Sequence, residues 1–423
     1  MSLSFNRLRG MQDVLPPEGD FWRKIENIML SCAEFYGFSF IRTPILEFTE
    51  LFDRSAGDSS DMVQKEMYTF NDKSGRSVTL RPEFTAGVLR AVINGLSGST
   101  IFPLKLMYFG PCYRYEKPQV GRYREFFQFG LEIFGGSSNL ADLEIILLAS
   151  KILSELGIDG FNLEINAIGC PDCRQVYLNE IRSFFGRNRD SLCETCNNRL
   201  STNPLRIFDC KNDDCKKISE NAPHTIDFIC KNCKTKFEIF KKFLDVSNIS
   251  YDVNTRMVRG LDYYNNLVFE FVLDFDGKPL TICGGGRYDG LSKSLGGPDL
   301  PATGCAFGIE RLIKLLHDKE ICQNIQNNGI IYVACIDEES KILAVDIVCK
   351  LRSLGVKSDY DLVDRGLKSQ MRYANKMGYK YVAVIGQEEI NSGVIGVKDM
   401  SSSEVFSFKL SNFAEEFEKF LKN

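Results

Sequence analysis

Histidine is nearly missing from this chain: His224 and His317 are its two copies in 423 residues. Neither sits in a glycine-rich or acidic motif. That disfavours a histidine-based catalytic triad and a metal centre built on several imidazoles, and both residues read as surface or linker positions. Excess positive charge is missing too. A formal net charge of -4 argues against a protein that coats nucleic acid. It leaves room for a local basic surface that grips one RNA, because the field near a patch outweighs the total. No apolar run approaches the ~18 to 20 residues that span a bilayer. The opening MSLSFNRLRGMQDVLPPEGD has neither the charged head nor the apolar stretch of a signal peptide, so the expected compartment is the cytoplasm.

What is present is an ordinary composition, 44% hydrophobic and 26% charged, long enough for two or three domains with a real core. Thiols stand out among its 15 cysteines. CPDC (Cys170, Cys173), CETC (Cys193, Cys196), CKNDDC (Cys210, Cys215) and CKNC (Cys230, Cys233) form four pairs in one segment. A cytosolic chain holds such thiols reduced or on metal. CxxC pairs separated by ~15 to 20 residues have zinc-ribbon spacing. Two tetrahedral zinc sites, one site plus a free pair, and a reduced cluster without metal all fit.

Ile25, Met29, Cys32 and Tyr36 share one face of a helix expected over 21–36. SVTLRPEFTAGVLRAVI passes from a β-like run into a helix, with Pro82 near its start. Residues 104–134 read as a long antiparallel hairpin, KLMYFGPCYRYE and FFQFGLEIFG joined by KPQVGRYR. A helix is expected over 140–156, a strand at FNLEINAIG, a helical stretch near 236–247, and strands at MVRGLDYYNNLVFEFVL and LTICGGGRY. NIQNNG, near 324–329, reads as a linker. From IIYVACI to YKYVAVIG, strands and helices alternate, which predicts a small α/β domain with a mostly parallel sheet. A helix carrying Phe413, Phe417, Phe420 and Leu421 on one face closes it.

EFFQFGLEIFG is the most informative stretch. Alternation puts Phe127, Phe129, Leu131 and Ile133 on a core face, and Phe126, Gln128, Gly130, Glu132 and Phe134 on the other. Gln128 and Glu132 would stand about 13 Å apart along the strand and flank one small ligand, with Gly130 leaving room between them. On the other arm Arg114 and Glu116 share a face, and Lys117, Arg122 and Arg124 add cations suited to phosphate oxygens. GGGRYDGL lets backbone approach a neighbour closely, without the ending of a Walker loop or the spacing of a dinucleotide fingerprint. Arg311 falls near the start of a helix expected from about Gly308, where the dipole favours an anion. RGLDYY, Arg259 to Tyr264, sets a cation, a glycine, a carboxylate and two phenols ahead of an apolar run. A plain core strand has no use for that Arg and Asp.

TLRPEFTA, RYEKPQVGRYREFFQFGLEIFG, MVRGLDYY, GGGRYDGL and GCAFGIERL together resemble the histidyl-tRNA synthetase family of class II aminoacyl-tRNA synthetases, in order and over almost the whole chain. The resemblance implies an α+β fold: a class II synthetase antiparallel sheet with flanking helices over 1–325, carrying the cysteine-rich insertion at about 170–250, plus a C-terminal α/β anticodon-binding domain over 328–423. It implies histidine, ATP with Mg2+ and tRNA(His) as partners, and a homodimer. Glu83, Thr85 and Gln128 would hold the amino acid's ammonium. Glu132 and Tyr264 would meet the imidazole, and Tyr263 would shape that pocket. Arg114 would clamp the α-phosphate, Glu116 and Phe126 would receive the adenine, and Arg122 and Arg311 the γ-phosphate end. Arg259 would sit at the reacting carboxylate and α-phosphate, and Gln119 would meet the acceptor end of the tRNA. Phe127 replaces a common His, and alternation points it to the core. Phe84 replaces a common Gly and is expected to narrow the ammonium site. The rivals are a non-catalytic histidine-sensing regulatory paralogue of ATP phosphoribosyltransferase, which loses the ATP clamps and the tail domain, and an RNA-binding zinc protein on the same scaffold.

Overall fold

The computed structural model describes residues 5–57, 60, 62–96, 99–119, 121–208, 210–257, 261–318 and 330–422. Arg259 and the expected linker at 324–329 lie outside the described residues. The chain divides into two compact units, Met1–Cys322 and Gln323–Asn423. Among the described residues no helix is long and apolar enough to cross a membrane.

The first unit is built on an eight-stranded sheet. Its order across the sheet is Ser39–Phe40, Leu104–Tyr113, Glu125–Phe134, Ala302–Gly308, Lys278–Arg287, Asn265–Phe275, Asn162–Gly169 and Tyr251–Val253. All pairings are antiparallel except the outermost one at each end. The expected hairpin forms the second and third strands of this order, in register from Leu104 opposite Phe134 to Tyr113 opposite Glu125. Period-two alternation separates its faces. Phe127 packs edge-on against Trp22 of the helix Glu18–Phe35, ring centroids 5.2 Å apart. Phe129 packs on Phe307. Helices Asn139–Glu155 and Ile309–Asp318 also cover the apolar side. Ser138 caps the former by accepting the Leu140 N–H at 3.2 Å.

The first helix buries Phe21, Ile25, Met29 and Ala33; Cys32 and Tyr36, expected on that stripe, are only half-buried at its border. Four-residue steps along a 3.6-residue period keep Ala33, not Cys32, above Met29. The insertion is helical throughout, Pro171–Arg187, Glu194–Thr202, Asp213–Ser219 and Lys231–Val246. It has a core of its own from Tyr177, Ile181, Phe185, Leu192, Ile207 and two cysteines.

The second unit is a five-stranded sheet, Ser358–Tyr360, Ile331–Cys335, Tyr381–Ile385, Val394–Asp399 and Val405–Lys409. The first three run parallel, as the alternating pattern predicts, and the last two add antiparallel strands. The helix Phe413–Lys422 sets Phe413 and Phe417 into the core, with Phe420 and Leu421 at its edge.

Candidate active site

The polar face of the hairpin floors a cavity of about 540 Å³. Phe126, Gln128 and Glu132 all line it, as alternation predicts, together with Glu83, Thr85, Arg114, Glu116, Arg122, Tyr263, Tyr264 and Arg311. Gln119 does not; it is exposed at the hairpin tip, where its backbone bridges to Arg122.

One end is acidic and aromatic. Glu132 is 1% exposed and accepts three hydroxyls: Thr85 at 2.8 Å and Tyr108 at 3.2 Å on Oε1, and Tyr288 on Oε2. Gly304 lies opposite it, and a Cβ there would fall 1.8 Å from Oε2, so glycine makes room for the carboxylate. The gap expected at Gly130 is not open to a ligand. A Cβ at Gly130 would sit 2.1 Å from Cζ of Tyr108, whose ring crosses the strand to reach Glu132. Burial outweighs the three donors and pushes Glu132 up to about 8. Tyr263, Tyr264 and Tyr288 form a ring cluster beside it, with centroids 4.7 to 6.2 Å apart.

Glu83 has a structural duty as well. Its carboxylate accepts the N–H groups of Thr85 and Ala86 at 2.7 and 2.8 Å, capping the helix Thr85–Gly95, and burial raises its pKa. Phe84 does not line the cavity. It is clasped between the Tyr108 ring at 4.1 Å and the Arg81 guanidinium at 3.7 Å, so it does not narrow the cavity.

The other end is cationic. The Arg114 guanidinium stands over Phe126, 5.2 Å from the ring centroid, with Nε on the Pro82 carbonyl at 2.9 Å. Arg122 reaches Glu116 at 3.5 Å. Arg311 donates to the Thr281 carbonyl at 3.0 Å. Burial first, then the nearby Arg122, lowers its pKa, with Glu116, Arg114 and Glu270 also in its field.

Asp262 answers half of the question RGLDYY raises. The insertion holds it: Arg174 donates to its carboxylate at 3.1 Å and to its carbonyl at 2.6 Å, and also to the Tyr264 carbonyl at 3.2 Å. Asn203 donates to the same carboxylate at 3.3 Å. The segment that presents Tyr263 and Tyr264 is therefore fastened from the insertion side.

The eight cysteines gather in two fours, Cys170, Cys173, Cys230 and Cys233, and Cys193, Cys196, Cys210 and Cys215, each with sulfurs within 4.8 Å of one another. The pairing is nested: the outer CxxC pairs join each other, and so do the inner ones. Cys170, Cys193 and Cys230 are N-caps of helices. The backbone N–H groups of Cys196 and Cys233 lower Cys193 and Cys230 to about 7.

Tyr108, Tyr288, Gly304 and Arg206 line the cavity and were not foreseen as parts of the site. Tyr288 stood in GGGRYDGL beside the glycines that drew attention, and Tyr108 lay on the site face of the first arm. Arg206 carried no local signal.

An antiparallel sheet that floors such a cavity, with a separate α/β domain, has the architecture of class II aminoacyl-tRNA synthetases. The model for histidyl-tRNA synthetase matches residues 10–172 and 219–312, and that for an anticodon binding domain matches 330–420. The histidine--tRNA ligase of Caldanaerobacter subterraneus subsp. tengcongensis is 45% identical over 98% of this chain and 99% of its own length. That of Clostridium botulinum strain Langeland is 44% identical over 95% and 96%. The apo crystal structure of the Staphylococcus aureus histidyl-tRNA synthetase superposes with a TM-score of 0.84 at 36% identity, covering 98% of this chain and 100% of that one. The chain belongs to the histidyl-tRNA synthetase family.

Proposed function

We propose that Glu132 and Tyr264 hold the imidazole of histidine while Arg114, Arg122, Arg259 and Arg311 steady ATP. The enzyme is a histidine--tRNA ligase. It joins histidine to AMP and transfers the histidyl group to the 3' end of tRNA(His). The observation that carries the site reading is the single cavity in which a buried carboxylate among phenols faces a set of guanidinium groups.

Neutral imidazole has one N–H and one acceptor nitrogen, so a selective pocket needs an acidic oxygen and a hydroxyl at opposed edges. Glu83, Thr85 and Gln128 take the ammonium, and Tyr263 walls the pocket. Phe126 and Glu116 receive the adenine. The histidine carboxylate attacks the α-phosphorus, the bond to the bridging oxygen breaks, and pyrophosphate leaves. Arg114 and Arg259 would meet charge growing on the phosphoryl oxygens, and Arg122 and Arg311 the leaving group, so no protein nucleophile is required. The tRNA ribose hydroxyl then attacks the adenylate carbonyl, expelling AMP, and Gln119 serves the acceptor end. Magnesium bound to the triphosphate would supply further charge neutralisation, and Glu270 is a cavity carboxylate suited to hold it.

A catalytic domain over 1–325 and an anticodon-binding domain over 328–423 complete the assignment, in a cytoplasmic homodimer. Phe40, Leu46, Phe48 and Phe70 leave about half their surface uncovered, which supports a partner face. The anticodon-binding match favours a charging enzyme over the regulatory paralogue. Both cysteine fours suit structural zinc, since four thiols this close match a tetrahedral Zn–S cage of ~2.3 Å bonds.

Charging each amino acid in turn tests the reading: histidine alone should be transferred. Arg259→Ala should lower histidine-dependent exchange of labelled pyrophosphate into ATP about 100-fold with an unchanged circular dichroism spectrum. Near-normal exchange in that variant would remove its assigned role.

A further inference from the structure

Arg206 belongs to the insertion, yet it lines the reaction cavity. It lies in the single turn Pro204–Ile207, inside the segment 173–218 that the family model leaves unmatched. Arg199 donates to the Arg206 carbonyl at 2.8 Å. The Arg206 N–H donates to the Asn203 carbonyl at 3.1 Å, and Asn203 in turn grips Asp262. Leu205 shares a small hollow with Leu261 and Tyr264, so the turn abuts the histidine end of the cavity. On its other side Ile207 is fully buried in one core cluster with Cys196 and Cys215, and its carbonyl accepts the Cys210 N–H at 3.1 Å. The turn is thus held between the inner cysteine four and the tyrosines of the pocket.

We propose that Arg206 is a phosphate-binding residue of the cavity, and that zinc on Cys193, Cys196, Cys210 and Cys215 positions it. This rests on the ligase and zinc readings above. A planar guanidinium suits a phosphate oxygen. Entering from the amino-acid end, it meets either the α-phosphate of the nucleotide or the terminal phosphate of the tRNA acceptor strand. Sharing a core with two of the metal's ligands, and a backbone hydrogen bond with a third, makes the zinc cage the support on which the arginine stands. The zinc site is then part of the catalytic apparatus rather than a staple for a remote domain.

The test uses full-length protein, with zinc content by atomic spectrometry, pyrophosphate exchange, and single-turnover transfer from preformed adenylate to tRNA. Arg206→Ala should keep both zinc equivalents. It should lose about 10- to 100-fold, the range for one charge-assisted hydrogen bond. The loss falls in exchange if the nucleotide is the source, and in transfer alone if it is the tRNA end. Arg206→Lys should recover part of it. Cys193→Ser with Cys210→Ser should lose one zinc equivalent and slow the same step, and adding Arg206→Ala to it should cost less than about twofold more. Arg206→Ala within about twofold of wild type in both steps, in protein that holds two zincs and charges tRNA, overturns the proposal. Multiplicative losses in the triple variant overturn the positioning by metal. Wild-type protein with under about a tenth of a zinc equivalent fails the metal reading, and wild-type protein without exchange fails the ligase reading.

Discussion

Glu132→Gln is expected to lower kcat/KM for histidine about 1,000-fold in pyrophosphate exchange, while KM for ATP moves by less than about twofold. A site built around a buried polar partner discriminates by what it leaves unpaired. The fold should survive, because the three groups that donate to Glu132 are hydroxyls of Thr85, Tyr108 and Tyr288, and a hydroxyl can turn to accept from an amide. On the proposed reading, what disappears is the acidic oxygen that shares a proton with imidazole, and the ATP contacts, assigned to the arginine end of the cavity, are spared. If the variant activates histidine at a tenth of the wild-type rate or better, Glu132 does not read the imidazole.

The same residue sets a pH signature. Burial raises Glu132 from 4.5 to about 8, so the folded protein keeps a proton that the unfolded chain releases. The stability this gives is full below about pH 4.5 and is lost as pH rises through about 8. The difference in melting temperature between wild type and Glu132→Gln should therefore shift against wild type from pH 5 to 8. Histidine binding follows the same proton. Free imidazole titrates near 6.5. Between ~6.5 and about 8 the pair already holds the one proton it shares when bound. Affinity should plateau there and fall on both sides, by about tenfold per unit above the upper limit. A flat profile from pH 7 to 9.5 would show that no proton is shared.

Much of this was legible in residue order. Period-two alternation in EFFQFGLEIFG separated the two faces, and Phe126, Gln128 and Glu132 of the polar face line the cavity, while Gly130 and Phe134 are covered. The arginines of the cationic end stood in a hairpin tip and at a helix start, where local rules apply. Contacts made across the sheet were not legible. Gly130 read as a space for a ligand because nothing in its own strand shows that Tyr108, 22 positions earlier, lies directly opposite. Phe84 read as an obstruction because its stacking on Tyr108 and Arg81 is tertiary. The cysteines were counted correctly, but spacing favours neighbours in sequence. The nested pairing depends on the insertion folding back until Cys230 returns to Cys173, whose sulfur accepts the Cys230 N–H at 3.0 Å. Asp262 was noticed as out of place, and its partners Arg174 and Asn203 lie 88 and 59 residues away.

Arg287→Met alone should destabilise the first unit by about 3–5 kcal/mol, and Asp142→Leu alone by a similar amount, whereas the double variant should recover most of the loss. Arg287 in GGGRYDGL is paired with Asp142 at 2.8 Å, with side chains only 5% and 2% exposed. The guanidinium also donates to the carbonyls of Gly136 and Ser138 at 2.9 and 3.1 Å and to Asp289 at 3.2 Å. Removing one partner strands the other charge where water cannot reach it, and that stranded charge dominates the cost. Burial already raises the Asp142 pKa against the pull of Arg287, so desolvation outweighs attraction at this carboxyl. Two apolar side chains of similar volume pay neither term. The measurement is the urea midpoint of each variant at constant m; equal losses in the single and double variants would show that packing, not charge, holds this junction. Activity reports a separate consequence. Arg287 anchors the strand end whose next residue, Tyr288, reaches Glu132. The double variant, stable but without its anchor, should bind histidine more weakly than wild type while ATP affinity is retained. The ion pair is then kept for the placement of Tyr288 rather than for stability.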